Sequence, residues 1–181
     1  MLDFVNRYAG RTLQDTPGVW VALRETRETW YPQRGNFDFW LYQNDDAPGG
    51  RTIPLWDVGV QPEGRYTRRT DQANDNPYMA FDIDNGYLHR PSSPVSITIT
   101  YLDQGFDAWV LQYDAYGSNA QVAGRVQKPN TGPWRTVTFV LTDAELADGM
   151  PGGGRFPGSD FRIWSAGDGD EIVHFVEVRK Q

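Results

Sequence analysis

The sequence predicts an all-β fold, an antiparallel β-sandwich of the jelly-roll type, and three observations support this class. Segments 95–103 and 107–114 alternate apolar and polar residues with the two-residue period of a half-buried strand. The chain contains 19 glycines, 12 prolines and 14% aromatic residues, a composition typical of many short strands joined by turns. The strand-like runs are not separated by long helical patterns, so the crossover helices of a parallel sheet are not expected.

Ten to twelve strands are expected along the chain. A short helical segment at 2–11 precedes them, because apolar residues recur there at helical spacing before Gly10. The next strands are predicted from alternation and from the turn residues that bound each run. Besides 95–103 and 107–114, they lie at 19–24, 37–42, 52–56, 65–70, 78–83, 86–89, 120–127, 134–141, 160–165 and 171–179.

Two of these pairings are predicted as hairpins. A short turn separates 95–103 from 107–114, and the shared alternation favours direct pairing of the two strands. Asp84-Asn85-Gly86 separates 78–83 from 86–89, and Asn-Gly between apolar runs is a strong signal for a tight hairpin.

One short helix is predicted near 143–148. Thr142-Asp143-Ala144-Glu145 matches a capping box, in which the threonine hydroxyl and the glutamate carboxylate each accept a bond from a free backbone N–H group. Gly149 is its expected end.

Charge and composition exclude several classes of protein. The formal net charge of −7 argues against a nucleic-acid partner, because phosphate binding relies on a basic surface. We predict no membrane span, since no apolar run reaches 18 residues. The absence of cysteine excludes disulfides, thiolate metal sites and thiol catalysis. The glycine and serine spacings match neither a phosphate-binding loop nor the nucleophile elbow of serine hydrolases.

Acidic residues near the C-terminus are candidate metal ligands. Hard oxygen ligands from such loops suit Ca²⁺, and four acids lie close together in sequence: Asp160, Asp168, Asp170 and Glu171. The alternative interpretation is structural, because aspartates in turns bond their own backbone.

Aromatic residues give the clearest indication of a binding role. A sugar ring carries C–H groups on its faces, which stack on Trp or Tyr rings, and hydroxyl groups on its edge, which bond polar side chains. The candidate ligand-binding residues lie at strand ends or in loops: Trp30, Tyr31, Tyr116, Trp134, Arg135 and Trp164. The alternative is that large aromatics fill the core, as we predict for Trp109 and Tyr113.

The C-terminal half resembles the galactose-binding-like jelly-roll modules of secreted glycoside hydrolases. The resemblance covers about 65–179 and rests on VSITITYLD, AWVLQYDA, WRTVTFVLTDAEL and the final run DFRIWSAGDGDEIVHFVEV. It implies a non-catalytic carbohydrate-binding or accessory role and, in many such modules, a structural Ca²⁺ near the first and last strands, where the Asp168 and Asp170 corner lies. We treat 1–181 as one β-sandwich domain, with 65–179 as its jelly-roll core. Residues 1–60 are either an added layer or a remnant of an upstream domain.

These observations predict a carbohydrate-binding module of an extracellular polysaccharide-acting protein. Its partners would be a polysaccharide or oligosaccharide and an attached catalytic domain, with no nucleic acid and no membrane. The first residues lack the apolar core of a signal peptide, so a secretion signal would lie upstream. Two alternatives stay open. One is a β-sandwich glycoside hydrolase or polysaccharide lyase that uses carboxylates, and the other is a structural module that packs on a catalytic domain.

Overall fold

The computed structural model describes residues 2–24, 35–58 and 64–181. They form an all-β sandwich with one short helix, as the alternating patterns predict. The elements are α1 (Leu2–Tyr8), β1 (Val19–Ala22), β2 (Phe37–Phe39), β3 (Leu41–Asn44), β4 (Ile53–Val58), β5 (Arg65–Arg69), β6 (Tyr78–Ile83), β7 (Val95–Leu102), β8 (Ala108–Ala115), β9 (Ser118–Gln127), β10 (Trp134–Leu141), β11 (Met150–Gly153), β12 (Phe156–Ser159), β13 (Phe161–Trp164) and β14 (Ile172–Lys180).

Two antiparallel sheets make the sandwich. In sheet A the strands follow the order β10-β7-β14-β1-β2, and β5 pairs with both β14 and β4. Sheet B has the order β3-β6-β13-β8-β9, and β11 and β12 form a separate hairpin. The pairings of these strands are antiparallel in both sheets, which confirms the predicted class.

The core lies between the inner faces of the two sheets. Ile97 and Ile99 of β7 face it from sheet A, and Trp109 and Tyr113 of β8 face it from sheet B. The Trp109 ring packs edge-on against Tyr101, with 5.3 Å between ring centroids. The prediction that Trp109 and Tyr113 are core residues is confirmed. Burying one side chain of this kind contributes about 1.5–3 kcal/mol.

The predicted hairpin between 95–103 and 107–114 is wrong. β7 lies in sheet A between β10 and β14, whereas β8 lies in sheet B between β13 and β9. The connection therefore crosses the sandwich, and the buried carboxylate of Asp103 stabilises it by accepting hydrogen bonds from the backbone of Asn130 and Thr131. Alternation reports only which side chains face the core, so it is the same for a paired strand and for a strand in the opposite sheet.

The predicted hairpin at Asp84-Asn85-Gly86 is also wrong. β6 forms as predicted, but the backbone N–H groups of Tyr87 and Leu88 both bond to the carbonyl oxygen of Asp84. This makes a compact turn instead of a returning strand. The side chains of Tyr87 and Leu88 are buried in the core, which explains their apolar character.

The short helix predicted near 143–148 does not form. The described residues hold one α-helix, α1, within the predicted segment 2–11, and a single 3-10 turn at Gln72–Asn74. Asp114 accounts for the difference, because its carbonyl and carboxylate oxygens accept hydrogen bonds from the backbone N–H groups of Glu145, Leu146, Ala147 and Gly149. Leu146 and Asp148 also have positive φ angles of 46° and 60°, outside the helical region. The capping-box pattern is therefore used in a loop that wraps around a carboxylate.

Trp40 divides the predicted strand 37–42 into two strands in different sheets. Its φ of 56° lies in the left-handed region, which few non-glycine residues adopt. The chain leaves β2 in sheet A and enters β3 in sheet B at this residue. Leu41 then enters the core, and Tyr42 points to the outer side of sheet B, in register with Asp82.

Helix α1 packs on the outer side of sheet A. The ring of Phe4 lies 5.2 Å from that of Trp20 and 5.5 Å from that of Phe175, between ring centroids. Within the described ranges, no helix has the length and apolar character that crossing a membrane requires.

Candidate functional site

A polar groove opens on the outer side of sheet B beside the edge strand β3, and we call it the Tyr42 groove. Its volume is about 500 Å³, within the range of small-molecule sites. A second cavity of about 380 Å³ shares Asp45, Asp46 and Arg68 with it. The groove is lined by Gly35, Asn36, Asp38, Tyr42, Gln43, Asn44, Asp45, Asp46, Arg68, Arg155 and Phe156.

One wall of the groove consists of two aromatic rings and a guanidinium group. The ring centroids of Tyr42 and Phe156 lie 5.8 Å apart, with 32° between the planes. The guanidinium carbon of Arg155 lies 5.2 Å from the centroid of Tyr42 and 4.7 Å from that of Phe156, within cation–π range. Partial burial and the carboxylates of Asp84 and Asp38 raise the pKa of Tyr42. Its phenol therefore remains protonated at neutral pH and can donate a hydrogen bond.

The other wall is a hydrogen-bonded ion pair. Arg68 is buried and pairs with the carboxylate of Asp45. Its Nε donates to Oδ1 of Asn36 at 3.0 Å, and its Nη1 donates to Oγ1 of Thr52 at 2.9 Å. Asp45 also accepts the backbone N–H of Thr52 at 2.9 Å and the amide of Gln43 at 2.8 Å. Both charged groups of this wall are therefore held by bonds within the protein, independently of any ligand.

The β11–β12 hairpin brings Arg155 and Phe156 to the groove. Gly153 and Gly154 lie directly against the loop that contains Asp46. A Cβ atom on Gly153 would lie 2.0 Å from the carbonyl oxygen of Asp46, and one on Gly154 would lie 2.1 Å from its carboxylate. Gly154 also has a φ of 59°. Only glycine permits this close approach, which places the next two side chains opposite Tyr42.

The aromatics predicted as ligand contacts do not converge on one surface of the described residues. Tyr116 is exposed in the turn after β8. Trp164 pairs in register with Val110, near the other end of β8 and six residues before Tyr116, roughly 20 Å away at the rise of a strand. Trp134 begins β10 in sheet A.

Trp30 and Tyr31, also predicted as ligand contacts, lie outside the described residues. Arg135 donates from Nε to the buried carboxylate of Asp103 at 2.8 Å, so part of its hydrogen-bonding capacity is used within the protein.

Two of the predicted aromatics have polar neighbours. Half-buried Trp164 is in register with Tyr78, and the guanidinium carbon of Arg162 lies 3.8 Å from the Tyr78 ring centroid. Arg162 also donates from Nε to Gln112 at 2.8 Å. We call this surface of sheet B the Trp164 row.

On sheet A, the guanidinium carbon of Arg65 lies 5.0 Å from the ring centroid of Trp134. The His174 ring lies 5.8 Å from the same tryptophan, between ring centroids. Trp134 thus also has a cationic neighbour beside its ring.

The four acids predicted as metal ligands are divided between two places. Asp168 accepts the backbone N–H of Ala108 and pairs with Arg125, and Asp170 accepts the backbone N–H of Gln72. Glu171 is paired with the ammonium of Lys128 at 2.8 Å, and the same Nζ lies 2.9 Å from Asp107. At the 168–171 corner a lysine therefore provides the positive charge, and this arrangement does not fit a Ca²⁺ ion. Asp160 lies apart, with Asp82 and Asp148.

Asp82, Asp148 and Asp160 form a buried acidic triad that could hold a metal ion. One carboxylate oxygen from each lies within 4.8 Å of the others. Burial, together with the neighbouring carboxyl groups of Asp148 and Asp160, raises the pKa of Asp82 to about 8. Burial likewise raises the pKa of Asp160 to about 7, against the bonds it accepts from backbone N–H groups. The sequence suggested Asp160 but neither of the other two.

Sequence patterns did not identify Tyr42, Arg155 and Phe156 as groove residues. A usable signal was present in Gly152-Gly153-Gly154-Arg155-Phe156, where glycines that allow close packing precede a cation and an aromatic ring. The pairing of that segment with Tyr42 requires the three-dimensional structure.

No protein-family model and no curated protein matches the chain. Among solved structures, the chain is similar to a carbohydrate-binding module from Cellvibrio mixtus lichenase 5A in complex with cellotriose, with 15% identity and a TM-score of 0.37 over 78% of this chain and 96% of that one. It is also similar to the C-terminal CBM6 module of a marine laminarinase from Zobellia galactanivorans, with 15% identity and a TM-score of 0.36 over 77% and 91%. A third similar structure, the module BiXyn10A CBM1, has 12% identity and a TM-score of 0.41 over 80% and 91%.

Proposed function

We propose that this protein is a non-catalytic carbohydrate-binding or accessory module of an extracellular polysaccharide-acting protein, and that the Tyr42 groove receives the glycan. One observation carries the proposal: Tyr42 and Phe156 present ring faces beside Arg155, while the exposed carboxylates of Asp38 and Asp46 line the same groove. A pyranose ring needs this combination, because its C–H faces are apolar and its edge carries hydroxyl groups.

The groups of the groove differ in what they offer a sugar. The aromatic rings supply contact area and lose little side-chain entropy on binding, since each has two rotatable bonds. Arg155 has a planar donor fork, and the carboxylates accept hydrogen bonds from hydroxyl groups. The wall of Arg68 and Asp45 is already bonded, so little ordering cost opposes binding.

The aromatics predicted from the sequence are proposed as additional contacts for a longer glycan. The Trp164 row offers Trp164, Tyr78 and Arg162 on sheet B, and Trp134 with Arg65 offers a second stacking position on sheet A. Tyr116, Arg135, Trp30 and Tyr31 complete this proposed set. Trp30 and Tyr31 precede Gly35, a groove residue, by a few positions in the sequence.

Affinity gel electrophoresis against β-glucans, xylan, mannan and pectin tests the groove. We expect at least one polysaccharide to retard the wild type, and we expect Tyr42→Ala and Arg155→Ala to weaken that retardation about 10-fold, the loss of one stacking or charge-assisted contact. Phe106→Ala is the matched control, since it removes an exposed aromatic ring outside the groove and outside the proposed set of contacts, and this variant should bind as the wild type does.

Other outcomes point to other sites or functions. If Trp164→Ala or Trp134→Ala abolishes retardation while Tyr42→Ala leaves it intact, the glycan binds elsewhere and the groove is excluded. If no polysaccharide retards the wild type, carbohydrate binding is contradicted and a structural module is favoured. Release of reducing ends from a bound polysaccharide would establish an enzyme in place of a binding module.

A further inference from the structure

We propose that Asp82, Asp148 and Asp160 bind a Ca²⁺ ion that fixes both ends of the β11–β12 hairpin to strand β6. Each carboxylate comes from a different segment: Asp82 from β6, Asp148 from the loop before β11, and Asp160 from the residue after β12. The site is distinct from the 168–171 corner, where Lys128 provides the positive charge.

Within the described residues, each of two carboxylates has at least one oxygen without a donor. Asp82 is 8% exposed, and its hydrogen-bonding neighbour in the described part of the chain is another carboxyl, that of Asp148. Oδ1 of Asp148 is buried without a hydrogen-bond partner, whereas its Oδ2 accepts from Asn85 at 2.8 Å. The ion pairs of the described residues leave all three acids without a basic partner. A buried group of this charge is stable only with a compensating cation or a bound proton.

The third carboxylate is already oriented. Asp160 is fully buried, and its two oxygens accept the backbone N–H of Ile83 at 2.8 Å and that of Asp148 at 3.2 Å. Each carboxylate oxygen has a second lone pair that can bind a metal, and such bonds from the surroundings fix a ligand in place.

The spacing of the triad suits calcium. Calcium–oxygen distances of about 2.3–2.6 Å place oxygens on opposite sides of the ion about 4.6–5.2 Å apart, whereas magnesium needs about 4.0–4.2 Å and a strict octahedron. The three ligand atoms lie within 4.8 Å of one another, a limit that a calcium ion satisfies without the strict octahedron that magnesium needs. Three oxygens from three separate segments leave further positions to water or backbone, as calcium tolerates.

A cation at this site would fix the position of one wall of the Tyr42 groove. Asp148 and Asp160 bracket the hairpin that carries Arg155 and Phe156, so holding both ends to β6 fixes these side chains opposite Tyr42. This consequence rests on the proposed carbohydrate site. Binding of calcium itself does not.

Thermal unfolding of the chelator-stripped full chain at pH 7.5 tests the site. In 2 mM CaCl₂ we expect the Tm of the wild type to rise by about 5 °C or more over its value in EDTA, because the ion binds only the folded state. Asp82→Asn should remove this rise, and Asp148→Asn serves as a second variant if the first does not fold. The matched control is Asp168→Asn, which makes the same chemical change at the 168–171 corner and should keep the rise.

Two further measurements separate calcium binding from carbohydrate binding. Hydrogen exchange of residues 150–159 should slow in calcium for the wild type and Asp168→Asn, and not for Asp82→Asn. The affinity for a retarding polysaccharide should fall about 10-fold in EDTA.

The outcomes distinguish the two proposals. If calcium raises the Tm and slows hydrogen exchange but no polysaccharide binds, the cation site is supported and the proposed function is contradicted. Absence of any Tm shift at 10 mM CaCl₂, or a shift that persists in Asp82→Asn, overturns the cation site and indicates that a shared proton holds the carboxyls.

Discussion

At the scale of single residues, Lys128 shows how a buried ammonium group compensates the charge of buried carboxylates in this fold. The ammonium of Lys128 is 1% exposed and lies 2.9 Å from Asp107 and 2.8 Å from Glu171, and it donates to the carbonyl oxygen of Asp170 at 3.1 Å. Lysine is almost never this buried unless it is paired. Burial raises the pKa of Glu171 to about 7 even though the adjacent ammonium favours the charged form. The lysine therefore joins the start of β8 to the start of β14 as an internal counter-ion.

Replacing Lys128 with methionine should destabilise the protein by about 3–5 kcal/mol, because Asp107 and Glu171 would be left buried with uncompensated charge. Urea unfolding at pH 7.5 measures this loss as a shift in the midpoint. The control is Lys180→Met, which changes the other lysine of the chain at an exposed position and should cost less than about 1 kcal/mol. Equal stability of Lys128→Met and the wild type would show that the two acids are protonated in the native state.

At the scale of secondary-structure elements, the β11–β12 hairpin connects several features of the site. It belongs to neither main sheet, yet its glycines pack against the Asp46 loop, its turn carries Arg155, and Phe156 begins its second strand. A hairpin of two four-residue strands is marginal alone, so its position depends on these contacts and on its two anchored ends. Its glycine content is thus a packing requirement.

We expect Gly153→Ala to displace this hairpin without unfolding the sandwich. A methyl group 2.0 Å from the carbonyl oxygen of Asp46 forces the backbone apart, at a cost of about 1–3 kcal/mol. Glycan retardation should weaken about as much as in Arg155→Ala, and hydrogen exchange at 150–159 should accelerate. Pro151→Ala, at an exposed position of the same hairpin, should leave both measurements unchanged. If hydrogen exchange at 150–159 in Gly153→Ala equals that of the wild type, the hairpin has kept its position and the Asp46 loop has moved to admit the methyl group.

At the scale of the whole molecule, sequence patterns predicted the class and most strands but not their arrangement. Alternation identified the core faces of β7, β8 and β10, because that pattern is local. It could not assign β7 and β8 to opposite sheets. The groove joins Tyr42, Arg68 and Phe156, and the triad joins residues of equally distant segments, so neither has a local signature. Asp114 shows the same limit, since its long-range hydrogen bonds override a local helix signal.

The domain boundary depends on what residues 1–60 contribute to the two sheets and to the core. We propose that they belong to the same domain, because β1 lies between β14 and β2 in sheet A and β3 pairs with β6 in sheet B. Val19, Val21, Leu23 and Leu41 are all fully buried, and together they contribute about 6–12 kcal/mol. That equals most of the stability of an ordinary domain, about 5–15 kcal/mol.

A fragment of residues 65–181 should therefore lack a cooperative transition in urea, measured by tryptophan fluorescence and circular dichroism. Removal of residues 1–11 alone is the matched control, since α1 packs on the outer side of sheet A, and this chain should still unfold cooperatively at a lower midpoint. Cooperative unfolding of the 65–181 fragment, with a calcium-dependent Tm, would instead establish 65–179 as a self-sufficient core to which the first strands are added. The comparison decides the domain boundary, because both fragments retain the acidic triad and only the longer one retains β1 and β3.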